Sequence, residues 1–203
     1  MYTLKTWIEP PYREEFGTHN ATCFLVLSSG EVQAILLESQ GLIFEKAPEV
    51  HGAGVAQRFS FAHLEPQKAP RTMAIVHQFE KELHKLRLNG LLKLPENFSF
   101  NEFIFNKYEH PQETGIAPHR DESKFQELVI IFVIQSGGDF YVCDDKQGTN
   151  PVRFRNEPGA CIIMRGGRKG EPDQRPIHFV AGLESERLTF CMRYDSSKQG
   201  VPA

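Results

Sequence analysis

Apolar and polar positions change period along this chain, and the changes divide it. Residues 126–135 (QELVIIFVIQ) form an unbroken apolar run, the pattern of a strand buried on both faces. Shorter apolar stretches lie at 103–108, 139–143, 152–155, 160–164, 177–180 and 188–194. Turn residues such as Ser136-Gly137-Gly138 and Glu157-Pro158-Gly159 separate them. Six to eight short strands with turns between them predict a sandwich or jelly roll. Over residues 71–88 the period becomes helical. Met73, Val76, Phe79, Leu83 and Leu86 recur at spacings of three and four, and Asn89-Gly90 supplies the stop. His77 and His84 sit two turns apart on that helix, too far to share an ion.

Upstream the pattern is less decisive. Pro10-Pro11 predicts a break within residues 1–20. Residues 21–27 and 32–37 are apolar and flank Ser28-Ser29-Gly30-Glu31, which fits a hairpin. A helix beginning over 31–40 fits the same residues, and periodicity does not choose between them. Residues 51–63 carry glycines and then alternate Phe59 and Phe61, while the polar stretch 196–203 predicts a disordered tail.

Composition narrows the class. At 203 residues, one domain or one domain with an N-terminal extension is expected. A hydrophobic content of 40% and a charged content of 24% are those of a soluble globular chain. The net charge of −3 speaks against a protein that coats DNA, without excluding a local basic groove. Cys23, Cys143, Cys161 and Cys191 are widely spaced, neither a disulfide framework nor a zinc pattern. Cys143, Cys161 and Cys191 lie in apolar stretches and are expected as buried thiols in a reducing cytoplasm. The start lacks a signal-peptide pattern and no apolar run reaches 18 residues, so a cytoplasmic protein with no membrane span, and a monomer, is the expectation.

The chemistry concentrates between residues 100 and 121. His119-Arg120-Asp121 is an H-x-D triplet, and residues two apart on a strand share a face. An imidazole and a carboxylate side by side are two of the three ligands in a facial two-histidine, one-carboxylate iron site. His178, in another apolar strand, offers the third, and Arg187 follows nine residues later.

That order, together with Phe100-Asn101, Asn106 and Tyr108 ahead of the triplet, resembles the AlkB family of Fe(II)/2-oxoglutarate dioxygenases, over residues 51–195. The resemblance implies a double-stranded β-helix, a jelly-roll core, in a mainly β chain with flanking helices (α+β). Residues 1–70 would be an N-terminal extension and substrate lid, 71–195 the core with its supporting helix, and 196–203 a tail. It further implies His119, Asp121 and His178 as ligands of Fe(II). Asn106, Tyr108, Arg187 and Arg193 would hold 2-oxoglutarate, with dioxygen as the second cosubstrate. The implied function is oxidative demethylation of alkylated bases in single-stranded DNA or RNA. The same chemistry on a protein or small molecule is the alternative, and a jelly roll that binds without turnover is a third reading.

The residues themselves leave choices open. Arg187 and Arg193 are six apart and share a strand face, but Leu-Thr-Phe follows Arg187 directly, two places from its position in the family pattern. Arg193 therefore reads either as a carboxylate grip or as half of a structural salt bridge. Arg58, Phe59 and Phe61 could grip and stack on a flipped base, or Phe59 and Phe61 could form one buried strand face. After the triplet, where some AlkB proteins carry a second acid, this chain has Glu122-Ser123, and Ser123 brings no charge.

Overall fold

The structure is a computed structural model that describes residues 9–51, 54–109 and 115–198. Two antiparallel sheets face each other, with three helices against the outside of the larger. In chain order the helices are α1 (Pro10–His19), α2 (Ser29–Ser39) and α3 (Pro70–Leu88). The first strands are β1 (Ala21–Leu25), β2 (Glu45–Lys46), β3 (Val50–His51), β4 (Val55–Arg58), β5 (Ser60–His63), β6 (Glu102–Tyr108) and β7 (Gly115–His119). Then follow β8 (Phe125–Gln135), β9 (Asp139–Cys143), β10 (Val152–Phe154), β11 (Ala160–Arg165), β12 (Ile177–Ala181) and β13 (Arg187–Asp195). The seven-stranded sheet runs β1-β11-β8-β13-β6-β5-β2, the six-stranded sheet β10-β9-β12-β7-β4-β3.

The continuous apolar run becomes β8, and both of its faces are used. Ile130, Phe132 and Ile134 meet the helices, where Phe79 of α3 sets its ring edge-on to Phe132 at 5.4 Å. Val129 and Val133 point the other way, into a second core between the sheets with Phe140, Val142, Ile162 and Val180. Cys143, Cys161 and Cys191 are buried and free, as expected, and so is Cys23.

Two expectations fail at the ends of the chain, and one open choice is decided. Pro10-Pro11 does not break an element but opens α1, because a proline in the first turn surrenders an N–H that has no helical partner there. Of the two readings of residues 21–40, hairpin or helix, the helix is the one formed. Ser28 and Glu31 form a reciprocal capping box that starts α2, while residues 21–25 pair with β11 inside the large sheet. The polar segment after Asp195 is ordered as far as Lys198 in a short 3-10 turn, with Ser197 donating from its N–H and hydroxyl to Asp195; positions 199–203 lie outside the described residues. The sheets do not divide at residue 70, since β1, β2 and β5 belong to the larger one and β3 and β4 to the smaller. Among the described residues no helix is long and apolar enough to cross a membrane.

Candidate metal centre

β7 and β12 run antiparallel with His119 directly opposite His178, and a bulge follows before Val180 pairs with Ile116. The two imidazoles stand 4.3 Å apart between ring centres. His119 Nδ1 lies 2.9 Å from the carbonyl of Ala117, and His178 Nδ1 lies 3.3 Å from that of Pro176. A carbonyl only accepts, so each Nδ1 carries the proton and each Nε2 keeps a free lone pair. Both lone pairs converge on one carboxylate: Asp121 Oδ1 is 3.9 Å from His119 Nε2 and 4.0 Å from His178 Nε2. Asp121 itself stands two residues past the end of β7, in a loop rather than on the strand.

Burial and the neighbouring His119 push His178 down to about 4, so the ring stays neutral at ordinary pH and available as a ligand. Burial alone would raise Asp121. The imidazoles of His178 and His119, where protonated, together with the guanidinium groups of Arg193 and Arg175, outweigh it and hold the carboxyl below its usual range. A carboxylate and two neutral imidazoles, with one donor atom from each within 4.8 Å of the others, suit a divalent first-row ion. Facial ligands about 2.1 Å from a shared ion stand roughly 3.0 Å apart, so Asp121, at 3.9 and 4.0 Å from the two imidazoles, would close on them by about 1 Å when an ion binds.

Beside this cluster the inner face of β13 presents Arg187, Thr189, Cys191 and Arg193 in alternation. Register places Arg187 opposite Tyr108, Thr189 opposite Asn106 and Arg193 opposite Glu102. Arg187 is only 1% exposed. One of its terminal nitrogens donates to the carbonyl of Gly138, at 3.1 Å, and to the side chain of Asn156, while Nε has no partner. Among the described residues no carboxylate lies within ion-pair distance of it. A buried guanidinium without a counter-ion is costly, and an incoming dicarboxylate answers that cost. Asn106 donates weakly to the Cys191 thiol at 3.6 Å, and the buried Tyr108 phenol is pushed well above its usual range. Arg193 is paired by charge: its Nε lies 3.2 Å from Glu102 without the alignment of a hydrogen bond, and its guanidinium sits over the Phe125 ring at 4.2 Å.

The expected substrate residues separate. Phe61 pairs with Asn106, which puts it on the inner side of the large sheet, and Phe59 packs on Tyr108 with ring centres 5.4 Å apart. Both are half-buried; the fully buried face of β5 belongs to Ser60 and Ala62. Arg58 does not join them. Gln57 pairs with the inward Ile116 and is buried, so alternation turns Arg58 to the outside of the smaller sheet, where it is exposed. Ser123 is exposed on the turn after Asp121, its backbone lying close against Gly167.

Several neighbours of the centre escaped the sequence reading. Phe140 stacks on His178 at 5.3 Å, Asn156 and Gly138 hold Arg187, and Arg175 donates to the main-chain carbonyl of Asp121. Alternation along β13 was a sufficient signal for Thr189 and Cys191. No local pattern marks the others, which come from loops distant in sequence.

No protein-family model matches this sequence, and no curated protein is significantly similar to it. Solved structures are similar in fold. A Pseudomonas putida prolyl-4-hydroxylase superposes with a TM-score of 0.68 at 15% identity, covering 95% of this chain and 98% of the other. A Trichoplax adhaerens prolyl hydroxylase, solved in complex with a peptide fragment of the hypoxia inducible factor oxygen degradation domain, gives 0.65 at 10% identity, with coverage of 94% and 90%. A 2-oxoglutarate-Fe(II) oxygenase family oxidoreductase from Burkholderia pseudomallei gives 0.65 at 14%, with 92% and 90%. The expected double-stranded β-helix is therefore the fold of this chain, in an arrangement shared with prolyl hydroxylases.

Proposed function

We propose that this chain is an Fe(II)- and 2-oxoglutarate-dependent dioxygenase that hydroxylates a side chain of a protein or peptide, with proline the leading candidate. The observation that carries the reading is the convergence of His119 and His178 Nε2 on the Asp121 carboxylate, each imidazole locked by a backbone carbonyl. Fe(II) held there with 2-oxoglutarate supplies oxidative decarboxylation by dioxygen, yielding succinate and CO2, coupled to hydroxylation of a substrate C–H bond. This chain's residues do the holding. Arg187 takes the far carboxylate of 2-oxoglutarate, with Tyr108 opposite it and Asn106 alongside. Phe59 and Phe61 supply an apolar wall next to them. The fold shared with two prolyl hydroxylases favours a peptide substrate.

Demethylation of nucleic acid has less behind it. Arg193, the second arginine of the AlkB-like spacing, is occupied by Glu102, and Arg58 faces away from the centre. Ser123 carries no charge, and the whole chain is acidic. The deciding experiment loads the protein anaerobically with Fe(II) and 2-oxoglutarate, then admits oxygen with proline-containing peptides or methylated oligonucleotides. Succinate that depends on peptide, with the mass gain of one oxygen atom on that peptide, is the expected result. Formaldehyde that depends only on the oligonucleotide would return the chain to the demethylase reading.

A further inference from the structure

The Asp121 carboxylate accepts no hydrogen bond from the described residues, and the two imidazoles stand within 4.0 Å of it. Nor does a strand fix its main chain, because β7 ends at His119. What reaches it is Arg175, from the segment leading into β12. One terminal nitrogen of Arg175 donates to the main-chain carbonyl of Asp121. Its Nε and its other terminal nitrogen fork onto the two oxygens of Asp173, each at 2.8 Å. The main-chain carbonyl of Arg175 in turn accepts from Arg120 Nε at 2.9 Å, and Arg120 also lies 3.7 Å from Asp173.

We propose that Arg175 is a positioning residue for the metal centre: clamped by Asp173, it fixes the main chain at Asp121 so that the carboxylate stays within reach of both imidazoles. The proposal rests on the metal-centre reading above. Its force comes from where Arg175 sits. The next residue, Pro176, supplies the carbonyl that orients His178. A single short segment, 173–178, therefore carries His178, orients its ring and holds the loop bearing Asp121. Without the clasp, Asp121 is free to swing on a loop, and an ion would have to pay the ordering entropy of that loop on binding. The geometry demands arginine. A planar fork can engage both oxygens of Asp173 and still direct a further N–H at the Asp121 carbonyl, which a lysine ammonium on a flexible stem does not reproduce.

The test is calorimetric titration of the full chain with Mn(II) alone, which reads metal affinity without turnover. Partners that orient metal ligands typically account for ten- to a hundred-fold in affinity. Arg175→Gln is expected to weaken Mn(II) binding by roughly that factor, and Arg175→Lys by nearly as much. Asp173→Asn, which loosens the fork but keeps the guanidinium, should give a smaller loss. Arg153→Gln removes an ion pair with Asp139 away from the centre and should leave the affinity unchanged. Melting without metal reports the fold of each variant, and Arg175→Lys carries the test if Arg175→Gln fails to fold. Wild-type Mn(II) affinity in folded Arg175 variants overturns the proposal, as does an equal loss in Arg153→Gln. A wild-type chain that takes up no Mn(II) removes the metal-centre reading itself, a result separable from failure of the clasp.

Discussion

His119 and His178 are direct partners across β7 and β12, and each ring is oriented by the carbonyl two residues before it. The strand pairing therefore presets two nitrogen ligands, and Asp121 alone supplies the charge. Asp121→Ala should leave the fold intact while abolishing Mn(II) uptake and peptide-dependent succinate. Calorimetry and a succinate assay on the folded variant check this together. Succinate formation at the wild-type rate would show that the triad is not the seat of the chemistry.

Phe61 and Arg58 lie three residues apart, yet Phe61 faces the space between the sheets and Arg58 the outside of the smaller one. Phe61→Ala removes an apolar wall beside Asn106 and should raise the KM for a peptide substrate, about ten-fold for the loss of a partly buried aromatic contact. Arg58→Ala, outside the smaller sheet, should change neither kcat nor KM. Steady-state kinetics on the pair distinguish the two sides; an Arg58 effect equal to that of Phe61 would mean the substrate crosses the outer face.

The legible parts of this molecule are those whose signal is local and periodic. The three-and-four spacing of Met73, Val76, Phe79, Leu83 and Leu86 places α3 within one residue of its start. The H-x-D spacing and the order of a later His and Arg single out His119, Asp121, His178 and Arg187, and the fold brings the first three of these together. Periodicity alone leaves residues 21–40 open: Ser28 and Glu31 are the S-x-x-E of a capping box that decides for the helix, yet they sit between apolar runs that equally suit a hairpin. Pro10-Pro11 looks like a breaker until its place in a first turn is known. The clasp of Arg175 on the Asp121 carbonyl spans 54 positions of sequence and joins two loops, so no period announces it. The choice between base and peptide as substrate depended on short motifs, which Arg193 and Arg58 share in spacing but not in orientation.

Glu38 of α2 caps α3 from outside. Its carboxylate accepts from the N–H groups of Arg71, at 3.0 Å, and Thr72, at 2.8 Å, and from the Thr72 hydroxyl, where α3 has no side-chain cap of its own. Burial would raise this carboxyl, but the hydrogen bonds from Thr72 and Arg71 prevail and hold it below its usual 4.5. A depressed carboxylate contributes stability that is present above about pH 4.5 and is lost as the pH falls through the folded-state value. Glu38→Ala should cost about 1–2 kcal/mol at neutral pH, in keeping with loss of a helix cap. Glu38→Gln, an acceptor without charge, should flatten the acid limb of a stability–pH curve measured by denaturant melts. An unchanged limb would mean that other carboxyls dominate it.

Arg187 offers the sharpest separation of stability from function. The ligand-free chain bears the cost of a buried guanidinium with an unpartnered Nε. Arg187→Met fills the same space with an apolar side chain and removes that cost, and replacing buried charge by well-packed apolar groups is often neutral or stabilising. Against this, the substitution strips the Gly138 carbonyl and Asn156 of a donor, a loss of about 1–3 kcal/mol where a buried group stays unpaired. Both residues line an open cleft of about 520 Å³, so water can replace the donor and the loss should fall at the low end. The two effects nearly cancel, and the ligand-free variant should lie within about 2 kcal/mol of the wild type. With 2-oxoglutarate the two diverge. At a concentration a hundred times its dissociation constant, the cosubstrate should stabilise the wild type by about 2.7 kcal/mol. The variant, holding no cation for the far carboxylate, should gain almost nothing. Melting curves of both proteins, with and without 2-oxoglutarate in the presence of Mn(II), make the comparison. Equal stabilisation of the two would assign the cosubstrate anchor to another residue, with Arg193 next to be replaced.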